Sequence, residues 1–233
     1  DYGFDAIATA DGGFALAGQA DVAGYVKTWI VKLTSAFALS WQMHYAYGDS
    51  GSSSLIRQTE DGGYLLLGST YSTSRLNDLW ILKVDGSGTL AWSRAYGSSL
   101  NDTPNYFIPV GAGFLVAGRY QSATDGSGGD ALLLSLDEEG SIEWQKLYGG
   151  TLRDGIGTIL PAEDGFLCSG QTGYVPADPP TTGDAWILNL DGTGGPSYAT
   201  SSLWVGQAAS ATSISTTATT TSAATSGVLA ATS

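Results

Sequence analysis

Cysteine, histidine and basic residues are scarce in this sequence, and each scarcity argues against a class of function. The 233 residues include nine Lys or Arg against 22 Asp or Glu, which gives a net charge of −13. The single cysteine, Cys168, allows no internal disulfide and no thiolate metal cluster. The single histidine, His44, argues against a histidine-based catalytic triad. The acidic balance argues against nucleic acid as a partner, because phosphates attract basic surfaces.

Long apolar runs are also missing. No run approaches the roughly 20 residues that a membrane-spanning helix needs, so we expect no membrane insertion. The chain opens without a signal-like segment, which is typical of a processed chain or a fragment. Low Lys content, one Cys and abundant Ser and Thr favour an exported protein, so we expect an extracellular or cell-surface location.

Glycine and aromatic residues are abundant, and they recur at a regular interval. Four similar segments end at Gly18, Gly68, Gly118 and Gly170, with spacings of 50, 50 and 52 residues. An apolar run follows each of these glycines, at 29–33, 80–85, 132–137 and 186–191. In three repeats a hairpin then leads to an aromatic-rich segment that contains Trp41, Trp92 or Trp144. Each repeat of about 50 residues therefore predicts four short strands.

Four-stranded repeats of this length are typical of propeller blades, which bury both faces of each sheet by radial packing. We predict an all-β protein, a four-bladed β-propeller over residues 1–206. An extended Ser/Thr-rich tail or linker follows at 207–233. A solenoid is the alternative architecture.

The repeats resemble those of secreted bacterial β-propeller proteins. The shared form is DGGY-x-L-x-G followed by D-x-W-I-L-K-x-D-x-x-G-x-L-x-W-x-x-x-Y-G, and the resemblance covers roughly residues 1–200. The D-x-x-G-x-x-x-W part is similar to the tryptophan-docking motif of quinoprotein propellers, in which Trp stacks between adjacent blades. The resemblance implies the architecture, whereas propellers as a group include enzymes, sugar binders and scaffolds.

The fourth repeat departs from this form. Tyr198 stands where the other repeats have Trp, and Tyr2-Gly3 matches the end of a fourth strand whose beginning is missing. We therefore expect an irregular seam between the fourth and first repeats. The N-terminal segment, residues 198–205 or another chain are three ways to close it.

Aspartates fall into two groups by their place in the repeat. Those of the hairpin turns are expected to bond to nearby backbone groups. Six others precede strand one or strand three, on one predicted loop face: Asp5, Asp102, Asp154, Asp78, Asp130 and Asp184. Flexible, oxygen-rich loops suit Ca²⁺, and local capping of the strand starts is the alternative. A carboxylate pair for glycoside hydrolysis is a third use of the same residues.

Two further sets of residues suggest contact with sugars. Four loop tyrosines on the same predicted face are candidates for stacking on glycans: Tyr25, Tyr71, Tyr120 and Tyr174. The tail has no charged residue, and its composition is typical of a linker or an O-glycosylated stalk. Candidate O-glycosylation sites are Thr216, Thr217, Thr219, Thr220, Thr221 and Ser222. Asn101 begins the one N-glycosylation sequon, which Pro104 follows.

The β-branched residues of the tail also suit an extended strand. A tail strand that adds to a sheet edge of the next copy makes a head-to-tail contact, and such a contact builds a filament when it does not close into a ring. The favoured hypothesis is a structural subunit of a surface fibre or layer, with copies of itself as partners. A carbohydrate-binding or adhesive module is the alternative, and a polysaccharide-acting enzyme is the least favoured.

Overall fold

The structure is a computed structural model, and it describes residues 1–46, 50–71, 76–121, 128–149, 153–174, 184–195, 217–220 and 224–226. This part of the chain is all-β and forms four antiparallel sheets, one for each sequence repeat. Strands that follow one another in sequence are neighbours in each sheet. Four such meanders fit a propeller-like fold. No helix long and apolar enough to cross a membrane occurs among the described residues.

The chain divides into two compact units. The first unit contains Asp1–Tyr96 with Ala218–Ser233, and it holds two sheets. One sheet has the order β1-β2-β3-β4-β17 and the other β16-β8-β7-β6-β5. The strands are β1 (Tyr2–Ala8), β2 (Phe14–Val22), β3 (Tyr25–Leu33), β4 (Leu39–Ala46), β5 (Ser50–Gln58), β6 (Tyr64–Tyr71), β7 (Asn77–Val84), β8 (Leu90–Gly97), β16 (Thr217–Thr220) and β17 (Ala224–Ser226).

The second unit contains Gly97–Thr217 and holds the other two sheets. Their orders are β12-β11-β10-β9 and β13-β14-β15. The strands are β9 (Thr103–Val110), β10 (Gly113–Tyr120), β11 (Asp130–Leu136), β12 (Ile142–Tyr148), β13 (Arg153–Ala162), β14 (Gly165–Tyr174) and β15 (Asp184–Asp191). The predicted fourth strand of the last repeat lies outside the described residues.

Each unit has its own apolar core. In the first unit, Ile30, Ile56 and Leu82 pack around the fully buried rings of Tyr45, Tyr64 and Trp80. In the second, Leu133, Ile156 and Leu188 pack with Tyr148 and Trp186. The middle strands β6, β7, β10 and β11 are almost continuously buried, as strands covered on both faces are.

The first strand of each sheet carries a bulge, and in the first sheet this strand begins earlier than expected. Tyr2 and Gly3 belong to β1 and pair with Gln19 and Gly18 of β2, so their assignment to a preceding fourth strand is wrong. The bulge explains the marker glycine of the first and fourth repeats. A Cβ on Gly18 would run into the carbonyl of Tyr2, and one on Gly170 into the carbonyl of Gly155. The strand therefore approaches too closely for any side chain at these positions.

Candidate functional site

The Asp-Gly-Gly turns of the first two repeats are structural. In the second repeat, Asp61 accepts hydrogen bonds from the Thr59 hydroxyl at 2.5 Å and from the Gly63 amide at 3.0 Å. Lys83 of β7 donates to Asp61 at 2.8 Å and to Thr59 at 2.9 Å. The glycine between them, Gly62, has a φ of 80°, which only glycine adopts without strain. The predicted turn role of these aspartates is confirmed, with a strand-three lysine as an unforeseen partner.

The first repeat builds the same turn from the same residue types. Asp11 accepts from Thr9 and Gly13, and Lys32 of β3 forms an ion pair with it at 2.8 Å. In each turn the lysine, the threonine hydroxyl and the glycine amide lower the pKa of the aspartate. The pKa of Asp11 lies well below its usual range, and that of Asp61 is about 2. The lysine side chains are largely buried, so each turn is tied to the sheet beneath it.

Neighbouring sheets are joined by a second repeated contact. Trp41 Nε1 donates to the Gly86 carbonyl at 3.1 Å, and Tyr45 Oη donates to the Gly88 carbonyl at 2.5 Å. The Trp41 ring lies against Gly88, so β4 of the first sheet packs against the Asp85–Gly88 turn of the second sheet. We call this contact the turn joint.

The second unit contains an equivalent turn joint. Tyr148 Oη donates to the Gly194 carbonyl at 2.5 Å, and the Trp144 ring lies against Gly194. Asp191 holds this turn through bonds from Thr193 and from the Gly195 amide. Burial raises the pKa of Tyr45 and Tyr148 above its ordinary value, so both hydroxyls remain protonated donors at neutral pH.

The first repeat lacks the glycine that the joint requires. Gly88, Gly140 and Gly194 have φ values of 84°, 77° and 71°, and Phe37 takes the corresponding place with a φ of 60°. Its ring stacks on Phe14, with centroids 4.7 Å apart, and is 70% exposed. A left-handed backbone is unfavourable for phenylalanine, so the first repeat carries local strain at this turn.

Three of the six predicted cation ligands, Asp5, Asp102 and Asp154, bind protein groups. Asp5 accepts from the Ile56 amide at 3.0 Å and from the Arg57 guanidinium at 2.8 Å, which joins β1 to β5. Asp102 is fully buried and accepts from the backbone amides of Ser98 and Gln121. Asp5, inside β1, thus bonds to the middle of β5, and Asp102 bonds to residues that follow β8 and β10, so neither bond is local capping of the aspartate's own strand.

Asp154 and the other three aspartates leave the calcium hypothesis as a prediction. Asp154 is buried and accepts from the Gly173 amide at 3.1 Å. Asp130 and Asp154 both approach the point where a Cβ on Gly149 would lie, so these two carboxylates are neighbours. Asp78 is buried in β7, and Asp184 begins β15. Within the described ranges, no three acidic, histidine or cysteine side chains group as a metal site would require.

The structure places the predicted sugar-stacking tyrosines at strand ends. Tyr25 begins β3 and is 63% exposed, whereas Tyr71 ends β6 and is 38% exposed. Tyr120 and Tyr174 end β10 and β14, and Tyr120 is half-buried. His44 is buried and stacks on Trp29, and burial raises the pKa of the Cys168 thiol to about 12, so neither has the exposure of a catalytic group.

The tail contributes two strands to the first unit. β17 pairs antiparallel with β4, with Ala224 opposite Ala46 and Thr225 opposite Tyr45. β16 lies beside β8, the last strand of the second sheet. Three predicted glycosylation sites, Thr217, Thr219 and Thr220, fall in β16, whereas Thr216, Thr221 and Ser222 lie outside the described residues. Asn101 is half-buried just before β9.

A cleft of about 750 Å³ opens in the second unit, and sequence reasoning missed it. Strands β9, β10, β13 and β14 form its walls. Its polar side chains include Asn105, Arg119, Arg153, Asp154 and Gln171, and glycine backbone supplies part of the wall. These residues are distant in sequence, and the pairing of β9 with β10 and of β13 with β14 brings them together.

No protein-family model matches the chain, and no curated protein is significantly similar to it in sequence. Its function must therefore be inferred from its own residues.

Proposed function

We propose that the four sheets are the blades of one β-propeller and that the protein is an extracellular structural subunit. In this proposal the tail of one copy adds to a sheet of the next copy, which assembles a surface fibre or layer head to tail. Glycosylation of the tail and stabilisation by Ca²⁺ are parts of the same proposal. The observation that carries it is the pairing of tail strands with the fourth strands of two sheets.

Two properties of the tail support exchange between copies. β4 and β8 are the last strands of their meanders, so each would leave an open edge without the tail. The 21 residues between Gly195 and Thr217 can span at most about 75 Å when extended. A tail strand from a second copy can therefore make the same antiparallel pairs, as in domain swapping.

Cysteine cross-linking tests this exchange. Ala46 and Ala224 are paired residues in β4 and β17, so chains carrying Ala46→Cys are mixed with chains carrying Ala224→Cys and oxidised. We expect a disulfide-linked dimer. Ala38→Cys, in the exposed turn before β4, replaces Ala46→Cys in the control mixture and should give none. The native Cys168 thiol is buried and will not interfere.

Removal of residues 207–233 gives the complementary measurement. We expect light scattering to show concentration-dependent assembly of the full chain and a monomer after truncation. Two results together would contradict assembly through the tail. The full and truncated proteins would have the masses of monomers, and a chain that carries both Ala46→Cys and Ala224→Cys would form the disulfide only within itself.

A carbohydrate-binding or adhesive module is the second candidate. The exposed ring of Tyr25 favours it, because aromatic faces stack on sugars. A glycan-binding assay with Tyr25→Ala tests this candidate, since loss of binding is expected if the ring contacts the sugar. A polysaccharide-acting enzyme remains the least favoured candidate.

A further inference from the structure

The cleft in the second unit has polar features that the tail-mediated assembly does not use. Its volume of about 750 Å³ is within the range of small-ligand sites, roughly 300 to 1,000 Å³. Thr103 and Asn105 of β9 lie on one wall, and Arg153 to Gly157 of β13 lie on another. All of its lining residues belong to the second unit.

The charge of the cleft differs from that of the unit around it. The sequence of the second unit, residues 97–217, has 13 Asp or Glu but only three Lys or Arg. Two of these three cations, Arg119 and Arg153, line the cleft, against one carboxylate, Asp154. Basic side chains are thus concentrated at one place in an acidic unit, which favours an anionic group there.

Arg119 has hydrogen-bonding capacity that the described residues do not use. Its Nε is buried and has no hydrogen-bond partner among them. Its aliphatic stem lies against Gly129, which positions the side chain. A guanidinium presents paired donors that match the two oxygens of a carboxylate, so Arg119 brings a carboxylate-binding group to the wall of the cleft.

The remaining groups of the cleft suit hydroxyls. Asn105 Nδ2 donates to the Ile156 carbonyl at 2.8 Å, which orients the amide and leaves its oxygen as an acceptor. Gln171 adds a second, exposed amide. Gly155 and Gly157 leave this part of the wall free of side chains, which gives a ring room to approach the backbone.

We propose that this cleft binds a sugar acid, with the carboxylate on Arg119 and the hydroxyls on Asn105, Gln171 and the neighbouring backbone. The proposal gives a ligand class to the second candidate function and does not depend on assembly through the tail. Neither neutral sugars nor inorganic phosphate offer this combination of one carboxylate with several hydroxyls.

Calorimetric titration with digalacturonate, maltose and inorganic phosphate tests the proposal. We expect binding of digalacturonate only. Arg119→Gln should weaken binding at least about tenfold, as loss of a charge-assisted hydrogen bond does. Arg119→Lys should retain part of the affinity, because the charge remains while the paired geometry is lost.

Two further variants distinguish binding in the cleft from a general effect of positive charge and from misfolding. Lys146→Gln removes the third cation of the unit from outside the cleft and should leave affinity unchanged. Gly157→Leu adds a side chain to the cleft wall and should weaken binding, and a new Cβ there has room because its nearest atom is 3.8 Å away. Absence of digalacturonate binding, equal binding of maltose or phosphate, or equal loss in Lys146→Gln would overturn the proposal. The assembly experiments are unaffected by any of these outcomes.

Discussion

At the scale of single residues, the lysine of strand three explains which hairpin turns keep the Asp-Gly-Gly form. Lys32 and Lys83 are matched by Asp11 and Asp61 in the first two repeats. In the third repeat Ser135 replaces the lysine and the turn has no aspartate. In the fourth, Asn189 replaces it, and Asp164 lies in a shorter turn, between the paired residues Ala162 and Gly165. The Asp-Gly-Gly form therefore occurs in the two repeats that carry the lysine, whereas Asp164 lies in a turn of another form.

The Asp61–Lys83 pair predicts a loss of stability in acid. The folded pKa of Asp61 is about 2, below its ordinary 3.8, so its contribution is complete above about pH 4 and disappears as the pH falls through 2. Because Asp61 is largely exposed, we expect Asp61→Asn to cost only about 1 kcal/mol at pH 7 in urea denaturation. The difference from wild type should shrink as the pH falls and vanish below pH 2.

Asp164→Asn is the matched control for this pair, because no strand-three lysine faces that turn. It should change stability little at either pH. If both variants lose the same amount at pH 7, the lysine partner is not the cause.

The effect of Phe37→Gly on the free energy of unfolding should depend on whether Phe14 is present. Phe37→Gly relieves a left-handed backbone worth roughly 1–2 kcal/mol but loses stacking on Phe14 worth roughly 0.5–1.5 kcal/mol. In wild type we therefore expect little net change. In a Phe14→Ala background the stacking is already gone, so Phe37→Gly should stabilise by about 1 kcal/mol. Equal effects in both backgrounds would show that the two rings are not coupled.

At the scale of elements, the turn joint makes a turn of one sheet part of the structure of its neighbour. The strand-four Trp and Tyr supply one half, and the glycine of the next turn supplies the other. The glycine is needed twice, for its positive φ and because an aromatic ring lies against it. A substitution of this glycine therefore affects both its own turn and the packing of the neighbouring sheet.

Gly194→Ala and Gly111→Ala separate these two requirements. Both glycines have positive φ, but a Cβ on Gly194 would meet the Trp144 ring at 2.7 Å, whereas one on Gly111 meets nothing within 4 Å. We expect Gly111→Ala to cost about 1 kcal/mol from backbone strain. Gly194→Ala should cost about 2–4 kcal/mol, because overpacking adds to that strain. Equal costs in thermal denaturation would mean that the ring moves aside without penalty.

The strands themselves could be predicted from the sequence because each repeat encodes them locally. Alternating apolar residues and Gly-containing turns place β2, β3, β6 and β7 near their observed bounds. The position of β1 could not be predicted, because Tyr2-Gly3 matches the end of a fourth strand and only pairing with Gln19 and Gly18 reveals its place. Local pattern defines a strand, whereas register depends on its neighbour.

At the scale of the whole molecule, four sheets of one design carry sites that differ between repeats. The sequence predicted the all-β architecture, since the repeat is visible without structure. It did not predict the cleft, because Arg119 and Arg153 occupy unrelated places in their repeats. The calcium hypothesis began from six aspartates in similar repeat positions, yet Asp5 and Asp102 bond to protein groups. Similar positions in sequence thus acquire different chemistry.

The calcium hypothesis predicts that added calcium raises the thermal stability of the whole protein. If Asp130 and Asp154 contribute to a cation site, free calcium at 100 times Kd should stabilise the fold by about 2.7 kcal/mol, measured as a rise in Tm over EDTA. Asp130→Asn should reduce this rise, and Asp164→Asn, in an exposed turn, should not. An unchanged Tm in calcium and EDTA would remove the cation from the proposal.

The turn joint also bears on how such a chain can lengthen. Trp144 with Tyr148, and the Asp137–Gly140 turn, lie on the same repeat, so that repeat carries a donor half and an acceptor half of the joint. A tandem gene duplication would therefore produce a new repeat that already fits the one before it, without any further mutation. Phe37 ends this interchangeability in the first repeat, where the acceptor glycine is absent. Growth by duplication is thus favoured for repeats that keep the turn glycine and disfavoured for the repeat that carries Phe37.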